Sequence, residues 1–394
     1  MKILHYIPEH FHSIDMGDDY KSVLRDSVSR LADNEIAENY SDFKQKAEKL
    51  KPEIIHIHAC WNLSAYRVQH WASTHGKVVV LSLHKKMHRW HVSNNLFLHK
   101  LPLLIIYQRK AIKDADAVLS TTSTELRRME KIGWNPRNTI IKNALLCGTI
   151  TSDEMARQLC CLYQKVIDSN SFRLMTPADR ELENKMLRES LYPQQNNADI
   201  QPNLADEMQP NHADDAQLRK ILIHSRNEGV LGNIEEGAHH LGIALPAISD
   251  SIRENTIDLF PNRLPKNTKP IEREKLIVKS RRKKTALSNI MADEKPTETE
   301  RQICLMLVNI EQEMRHKTLS RKHLTELFQA IRFTEYDEDM VLRMFKQLRI
   351  RKFAARMLQI MKEMYGLEVG FMPISPINDK KTGNIRKQLL HINI

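Results

Sequence analysis

The amino-acid sequence predicts an α/β N-terminal part built on a buried, mostly parallel sheet, followed by a mainly α-helical C-terminal half. Three observations predict it. Short β-branched or aliphatic runs, Met1–Ile7, Ile54–His58 and Val78–Leu83, alternate with segments of helical periodicity. Runs of that kind belong to parallel strands covered on both faces. Residues 298–364 carry apolar residues at helical spacing: Ile303, Leu307 and Ile310, then Leu324 and Leu327, then Met340, Leu342, Met344 and Leu348, then Phe353, Met357, Leu358 and Met361. Aromatics make up only 6% of the chain, and Gly supplies only 11 of 394 residues. That composition favours helix over sheet for the remainder.

The elements follow in order. The first strand, Met1–Ile7, runs into a loop that holds Gly17. Asp19–Leu31 has Val23, Leu24, Val28 and Leu31 on one helical face. The second strand lies in Pro52–Asn62, PEIIHIHACWN, and ends in Ala59-Cys60-Trp61-Asn62. Ser64–Ser73 is the next helix. Val78–Leu83 is the third strand and ends in His84-Lys85-Lys86. A helix over Leu103–Lys113 leads to a strand at Ala115–Ser120. Thr122–Ile132 is a helix with Thr122 or Ser123 as its N-cap and Glu125 in its first turn, and Gly133 closes it. Thr139–Lys142 is a further strand. Such β-α repetition gives right-handed crossovers and a parallel sheet.

Beyond this the chain changes character. Asp153–Ile167 reads as a helix with Met155, Leu159, Leu162, Tyr163 and Val166 on one side. Ser190–Gln217 is rich in Asn, Gln, Pro and Asp and cannot bury enough apolar surface to order itself. The chain therefore divides into an α/β domain at 1–150, a helical connector at 151–189, a flexible linker at 190–216 and a helical domain at 217–394. The basic run Lys279–Lys284 reads as a solvated surface loop. Pro373 and Pro376 end the regular structure.

Charge and cysteine usage bound the function without naming it. A net charge of +11 suits nucleic acid, anionic lipid or a phosphorylated ligand alike. Five Cys without C-x-x-C spacing indicate reduced thiols in a cytoplasmic protein. No stretch approaches the about 20 apolar residues of a membrane span, and the apolar run after Met1-Lys2 is too short for a signal peptide. Membrane contact is expected only as peripheral association at the inner face.

In open parallel sheets ligands collect beyond the carboxyl ends of the strands. Three polar clusters fall there: the Gly17 loop, His58–Asn62 and His84–Lys86. His56 alternates with Ile55 and Ile57 and sits in the sheet, whereas His58 is near enough to the strand end to face a cleft. Trp61 and Asn62 could stack on and hydrogen-bond a sugar ring; alternatively Trp61 is a core-edge aromatic.

The segments MKILHYIP, the Gly17 loop, PEIIHIHACWN, VVVLSLHKK, AIKDADAVLSTTSTEL and NTIIKNALL, in this order, resemble the N-terminal domain of GT-B glycosyltransferases of the family-4-like kind found in bacterial polysaccharide assembly. The resemblance covers about residues 1–148. It implies a Rossmann-like acceptor domain, a second Rossmann-like domain for a nucleotide-sugar, and transfer in the cleft between them without a metal or other cofactor. It makes His84 the catalytic-site group that hydrogen-bonds the transferred sugar. It makes Gly17 the loop residue beside the donor phosphates. The implied partners are a nucleotide-sugar and a glycan or lipid-linked acceptor. The chain departs from the family pattern twice. Met16-Gly17-Asp18-Asp19 keeps one Gly where the family commonly has two, and adds two carboxylates that repel a diphosphate. Leu83-His84-Lys85 replaces Pro-His-Gly, which removes the close backbone approach that Gly allows.

The donor domain is the larger departure. It needs on the order of 150 residues of β-α alternation, and residues 151–394 do not show it. Ser225–Glu236 does place Glu228 and Glu236 at the spacing of the family's donor-binding carboxylates. The competing explanation is two amphipathic helices, Leu218–Ser225 and Val230–Leu241, with Leu218, Ile221, Leu222, Ile234, Ala238 and Leu241 turned inward. Ile234–Arg253 also fits a helix-turn-helix template, with Ala238, Gly242 and Ile248 at its small, turn and packing positions. Against DNA, Pro246 falls in or before the second helix, and Ala247, Ser249 and Asp250 offer few base-reading donors. His84-x-x-x-His88 and His88-x-x-His91 have metal-compatible spacing but lack the Glu of H-E-x-x-H, so no metal is expected. Asp114-Ala-Asp116 ends a helix and is expected to cap and solvate.

Three functions are therefore expected in competition. One is a nucleotide-sugar-dependent glycosyltransferase of surface polysaccharide biosynthesis. A second is a non-catalytic accessory protein that keeps the fold, lacks the donor domain and binds a protein partner through its C-terminal helices. The third is a helix-turn-helix DNA-binding regulator. The missing alternation after residue 150 favours the second on physical grounds.

Overall fold

The computed structural model describes residues 1–8, 18–87, 100–192, 214–261, 278, 280–316 and 319–389. They form two compact units: Met1–Leu174 with Ile257–Asn262, and Met175–Thr256 with Arg263–Ile394.

The first unit is a six-stranded, all-parallel sheet. Its strands are β1 (Lys2–Tyr6), β2 (Asp33–Ala37), β3 (Ile54–Ile57), β4 (Val78–Ser82), β5 (Ala117–Ser120) and β6 (Asn138–Ile140), in the order β2-β1-β3-β4-β5-β6. Every residue of β3, β4 and β5 is buried, as their unbroken apolar runs require. Ile3, Ile54, Val78 and Val80 face one core with Tyr20, Leu24, Leu159 and Tyr163. Leu4, Ile55, Ile57, Val79 and Leu81 face the other, with Phe43, Val68, Ile112 and Met129 from four helices. The chain leaves β1 to one side for β2, then returns to pair β3 on the other side. That reversal puts the topological switch point between β1 and β3, where open α/β sheets bind ligands.

Two elements were not legible as such. β2 is Asp-Asn-Glu-Ile-Ala, half-exposed at the sheet edge, with only Ile36 and Ala37 buried. The helix Tyr40–Leu50 follows, capped by Asn39, whose side chain accepts the Asp42 N–H at 2.9 Å. The helix Asp18–Val23 continues as a π-helical turn, Leu24–Val28. The expected connector helix spans Ser152–Asp168, and its Met155, Leu159, Leu162, Tyr163 and Val166 are all buried in the sheet's core. Residues 151–174 therefore belong to the sheet unit rather than joining it to another.

The second unit contains ten α-helices among the described residues: Pro177–Leu191, Asp215–Asn227, Leu231–His240, Ile248–Arg253, Arg281–Ala292, Glu298–His316, Arg321–Phe333, Glu338–Gln347, Arg351–Tyr365 and Lys380–Leu389. Among the described residues it has no strand. Its core holds a polar knot. Glu183 is fully buried, 2.9 Å from the Arg321 guanidinium, and accepts hydrogen bonds from His224 Nδ1 at 2.7 Å and Ser225 Oγ at 3.1 Å. Burial alone would raise the Glu183 carboxyl, but Arg321, His224 and Ser225 outweigh it and hold it below the usual carboxylate range.

Several expectations meet the structure here. Most of the linker at 190–216 lies outside the described residues; of the rest, Ser190 and Leu191 end the helix Pro177–Leu191, and Asp215 and Ala216 begin the helix Asp215–Asn227. Of the basic run, Lys279 lies outside the described residues. Arg281–Lys284 is not a loop but the first turn of the helix Arg281–Ala292, because Ser280 caps it. Lys283 pairs with Glu311. Among the described residues no helix is long and apolar enough to cross a membrane.

Candidate functional site

The switch point is lined with histidine. β1 supplies His5, β3 supplies His56 with His58 just past its end, and Ser82 and His84 come from β4 and the residue pair beyond it. His5 and His56 are register partners across the β1–β3 ladder. Side chains alternate along a strand, so His5, His56, His58 and Ser82 all project to the face covered by Tyr20 and Tyr163. The His56 and His58 rings lie 3.9 Å apart between centroids. Tyr20 meets His58 and His84 edge-on at 5.7 and 5.8 Å.

The imidazoles form a hydrogen-bonded row. His84 Nε2 is 3.2 Å from His58 Nδ1, and His58 Nε2 is 3.0 Å from His5 Nδ1. His56 is held at both nitrogens, by the Tyr163 hydroxyl at 2.6 Å and Ser82 Oγ at 2.7 Å. His5, His56 and His58 are 0% exposed and His84 is 2% exposed. Burial drives the His5 and His84 pKa values down to about 3, with Lys86 adding to the effect at His84. Burial and the neighbouring rings push His56 and His58 well below the ordinary histidine value. All four are therefore neutral at pH 7, and each gap between two rings holds a single ring proton. His5 Nε2, at the end of the row, has no hydrogen-bond partner among the described residues.

The loops beyond β3 and β4 are strained and tied together. Trp61, His84 and Lys85 have φ of 59°, 46° and 60°, left-handed conformations that cost a non-glycine residue on the order of 1 kcal/mol or more each. The Trp61 N–H donates to Gln108 Oε1 at 2.6 Å, and its indole N–H donates to the Lys86 carbonyl at 3.2 Å. Glu125 accepts the Thr121 N–H at 3.2 Å and is also bonded by the N–H groups of Met87 and Lys85. Burial nevertheless raises its carboxyl to about 7.

The predicted site residues meet different fates. Gly17 lies outside the described residues, as do His88 and His91. His58 and His84 come into direct contact, but both are enclosed rather than set along an open cleft. Trp61 is half-buried and packs against the core as well as tying the two loops. Asn62 caps the helix Leu63–Thr74, accepting the Ala65 N–H at 2.8 Å, and also lines a shallow pocket with Tyr66, Gln69, Tyr107 and Gln108. Tyr66 and Tyr107 stack there at 5.5 Å. Glu228 accepts the Arg321 N–H at 2.8 Å and starts the helix Arg321–Phe333, while Glu236 is exposed on the helix Leu231–His240. Asp116 neither caps a helix nor is solvated. It is buried at the start of β5, accepts the Val79 N–H at 2.8 Å and pairs with Arg173.

His5, Ser82, Tyr163 and Glu125 were not singled out as site residues. A signal did exist for His5, because one polar residue inside an otherwise apolar parallel strand must find a buried partner. Nothing in the sequence links Tyr163 to His56, since the contact spans 107 positions. Compared with family models, with curated proteins and with solved structures, the chain finds no match.

Proposed function

We propose that this is a glycosyltransferase-like protein of surface polysaccharide biosynthesis that works as a non-catalytic accessory: its Rossmann-like unit engages a glycan and its helical unit engages a protein partner. The observation that carries this reading is the make-up of the second unit, whose described residues are helices without a strand. A nucleotide-sugar donor site on this architecture requires a second sheet whose strand ends and helix N-termini receive the diphosphate. Glu228 and Glu236 do not substitute for it, because Glu228 is spent on a helix start and Glu236 points to solvent. The partly exposed polar groups just beyond β3 are an amide and a phenol, Asn62 and Tyr66, which suit hydroxyl-rich ligands.

The DNA-binding alternative gains no support from local geometry. The helices Leu231–His240 and Ile248–Arg253 are joined by residues 241–247, against the three or four residues of the motif's turn, and the second helix has only 6 residues.

Calorimetric titration with a panel of nucleotide-sugars and with oligosaccharide fragments tests the proposal. No nucleotide-sugar should bind more tightly than about 1 mM, roughly 4 kcal/mol. Oligosaccharide binding should weaken in Tyr66→Ala. Micromolar nucleotide-sugar affinity, about 8 kcal/mol, would overturn the accessory role, and Glu236→Gln would then show whether the carboxylate pair forms the donor site.

A further inference from the structure

We propose that His5, His56 and His58 form a binding site for a transition-metal ion, of which Zn²⁺ is the probe. The site does not depend on the accessory reading, and it departs from the expectation that the chain holds no metal. Each of the three rings offers one nitrogen, and these nitrogens lie within 4.8 Å of one another. All three rings are fully buried. An all-imidazole set suits zinc, copper, nickel or iron, whereas magnesium and calcium take oxygen ligands.

The geometry of the His5–His58 gap is close to that of a ligand pair. Their facing nitrogens are 3.0 Å apart. A tetrahedral ion with bonds of about 2.0–2.1 Å holds its ligand nitrogens roughly 3.3 Å apart. An ion can therefore take the place of the shared proton with an opening of a few tenths of an ångström. The ring protons need only settle on His5 Nε2 and His58 Nδ1, so the imidazoles lose none. In that tautomer His58 still donates through Nδ1 to His84 Nε2, now 3.2 Å away. His56 moves in through one nitrogen and keeps either Tyr163 or Ser82 on the other. Ring orientation by an outer partner of this kind is the usual support of a ligating histidine. The hydroxyl that His56 releases is left beside the ion as an oxygen for the fourth position.

The test uses the full chain, stripped with a chelator and titrated with Zn²⁺ and Co²⁺. One ion per chain is expected, with the visible absorption of four-coordinate Co²⁺ and no thiolate charge-transfer band. X-ray absorption of the Zn²⁺ form should show nitrogen or oxygen neighbours and no sulfur. His5→Gln, His56→Gln and His58→Gln should each weaken binding about 100-fold or more, and His84→Gln about 10-fold. Joint replacement of His10, His12, His88, His91 and His99 by Gln should leave affinity unchanged. Substoichiometric uptake by the parent chain, a sulfur neighbour, or binding that survives His58→Gln but is lost in the five-site variant would each overturn the proposal. Uptake and X-ray absorption need only the parent chain, so substoichiometric uptake or a sulfur neighbour would refute the proposal even where a variant fails to fold.

Discussion

Glu125 is a carboxyl that the fold holds at the edge of ionisation. It is fully buried at the start of the helix Ser123–Ile132, and its pKa is raised to about 7. The native state therefore binds its proton more tightly than the unfolded chain does. Stability from this group is complete below about pH 4.5, falls as pH rises, and is gone above about pH 7, a loss of at most about 3 kcal/mol. Glu125→Gln keeps an acceptor for the backbone N–H groups and removes the charge. Thermal melts of the variant should match the parent at pH 4.5 and exceed it by several degrees at pH 8. A variant equally or less stable at pH 8 would show that the ionised carboxylate is a net benefit.

The histidines act in the opposite direction. His5 and His84 titrate near 3 in the fold against about 6.5 when unfolded. Their contribution is full above pH 6.5 and is lost as pH falls towards 3, at most about 5 kcal/mol for each. Acid titration followed by near-ultraviolet circular dichroism should show loss of tertiary signal from the sheet unit well above pH 3. A signal unchanged down to pH 3 would mean that the rings are not held neutral by burial.

At the scale of elements, the legible parts of the sequence were those with a single cause. β1, β3, β4 and β5 announced themselves because a strand buried on both faces has no alternative to apolar residues. The helix Ser123–Ile132 carried its own boundaries: Thr122 accepts the Glu125 N–H, and Gly133 takes φ 64°. β2 hid because an edge strand tolerates Asp, Asn and Glu. His58 and His84, expected along one sheet edge, meet there, but their enclosure was not legible, since it depends on Tyr20 and Tyr163 arriving from helices elsewhere in the chain. The same limit applied to Gly237, which took no part in the helix-turn-helix comparison. A Cβ there would lie 1.8 Å from the Met186 carbonyl oxygen, so the helices Pro177–Leu191 and Leu231–His240 meet only because that side chain is missing. Gly237→Ala should destabilise the helical unit by about 3 kcal/mol or more, measured by urea denaturation. A loss under about 0.5 kcal/mol would show that the two helices separate easily.

For the molecule as a whole, each unit is closed by contacts between distant parts of the chain. In the helical unit Glu183, His224 and Arg321 come from three helices and meet in one buried knot. Arg321→Met would leave the Glu183 carboxylate without its cation and should cost about 3–5 kcal/mol. Glu183→Leu combined with Arg321→Met should recover much of that loss, which a double-mutant cycle can measure. No recovery would mean that the polar knot carries packing the apolar pair cannot reproduce.

In the sheet unit the closing piece is Ile257–Asn262. Phe260 is buried in the core beside the helix Ser152–Asp168, its N–H donates to Ser169 Oγ at 2.8 Å, Asp258 pairs with Lys165 at 2.7 Å, and the Pro261 carbonyl accepts from Arg137 at 2.9 Å. A fragment ending at Leu174 should therefore melt below the same unit in the full chain, by the about 1.5–3 kcal/mol that one buried Phe contributes, and intact stability in that fragment would make the segment dispensable. During synthesis the sheet unit emerges from the ribosome first but cannot finish until residue 262 is out, after the first helices of its successor have already been made. Its last stitch is sewn by a thread that has passed through another fabric, so any tag, cut or fusion placed between residues 174 and 257 acts on both.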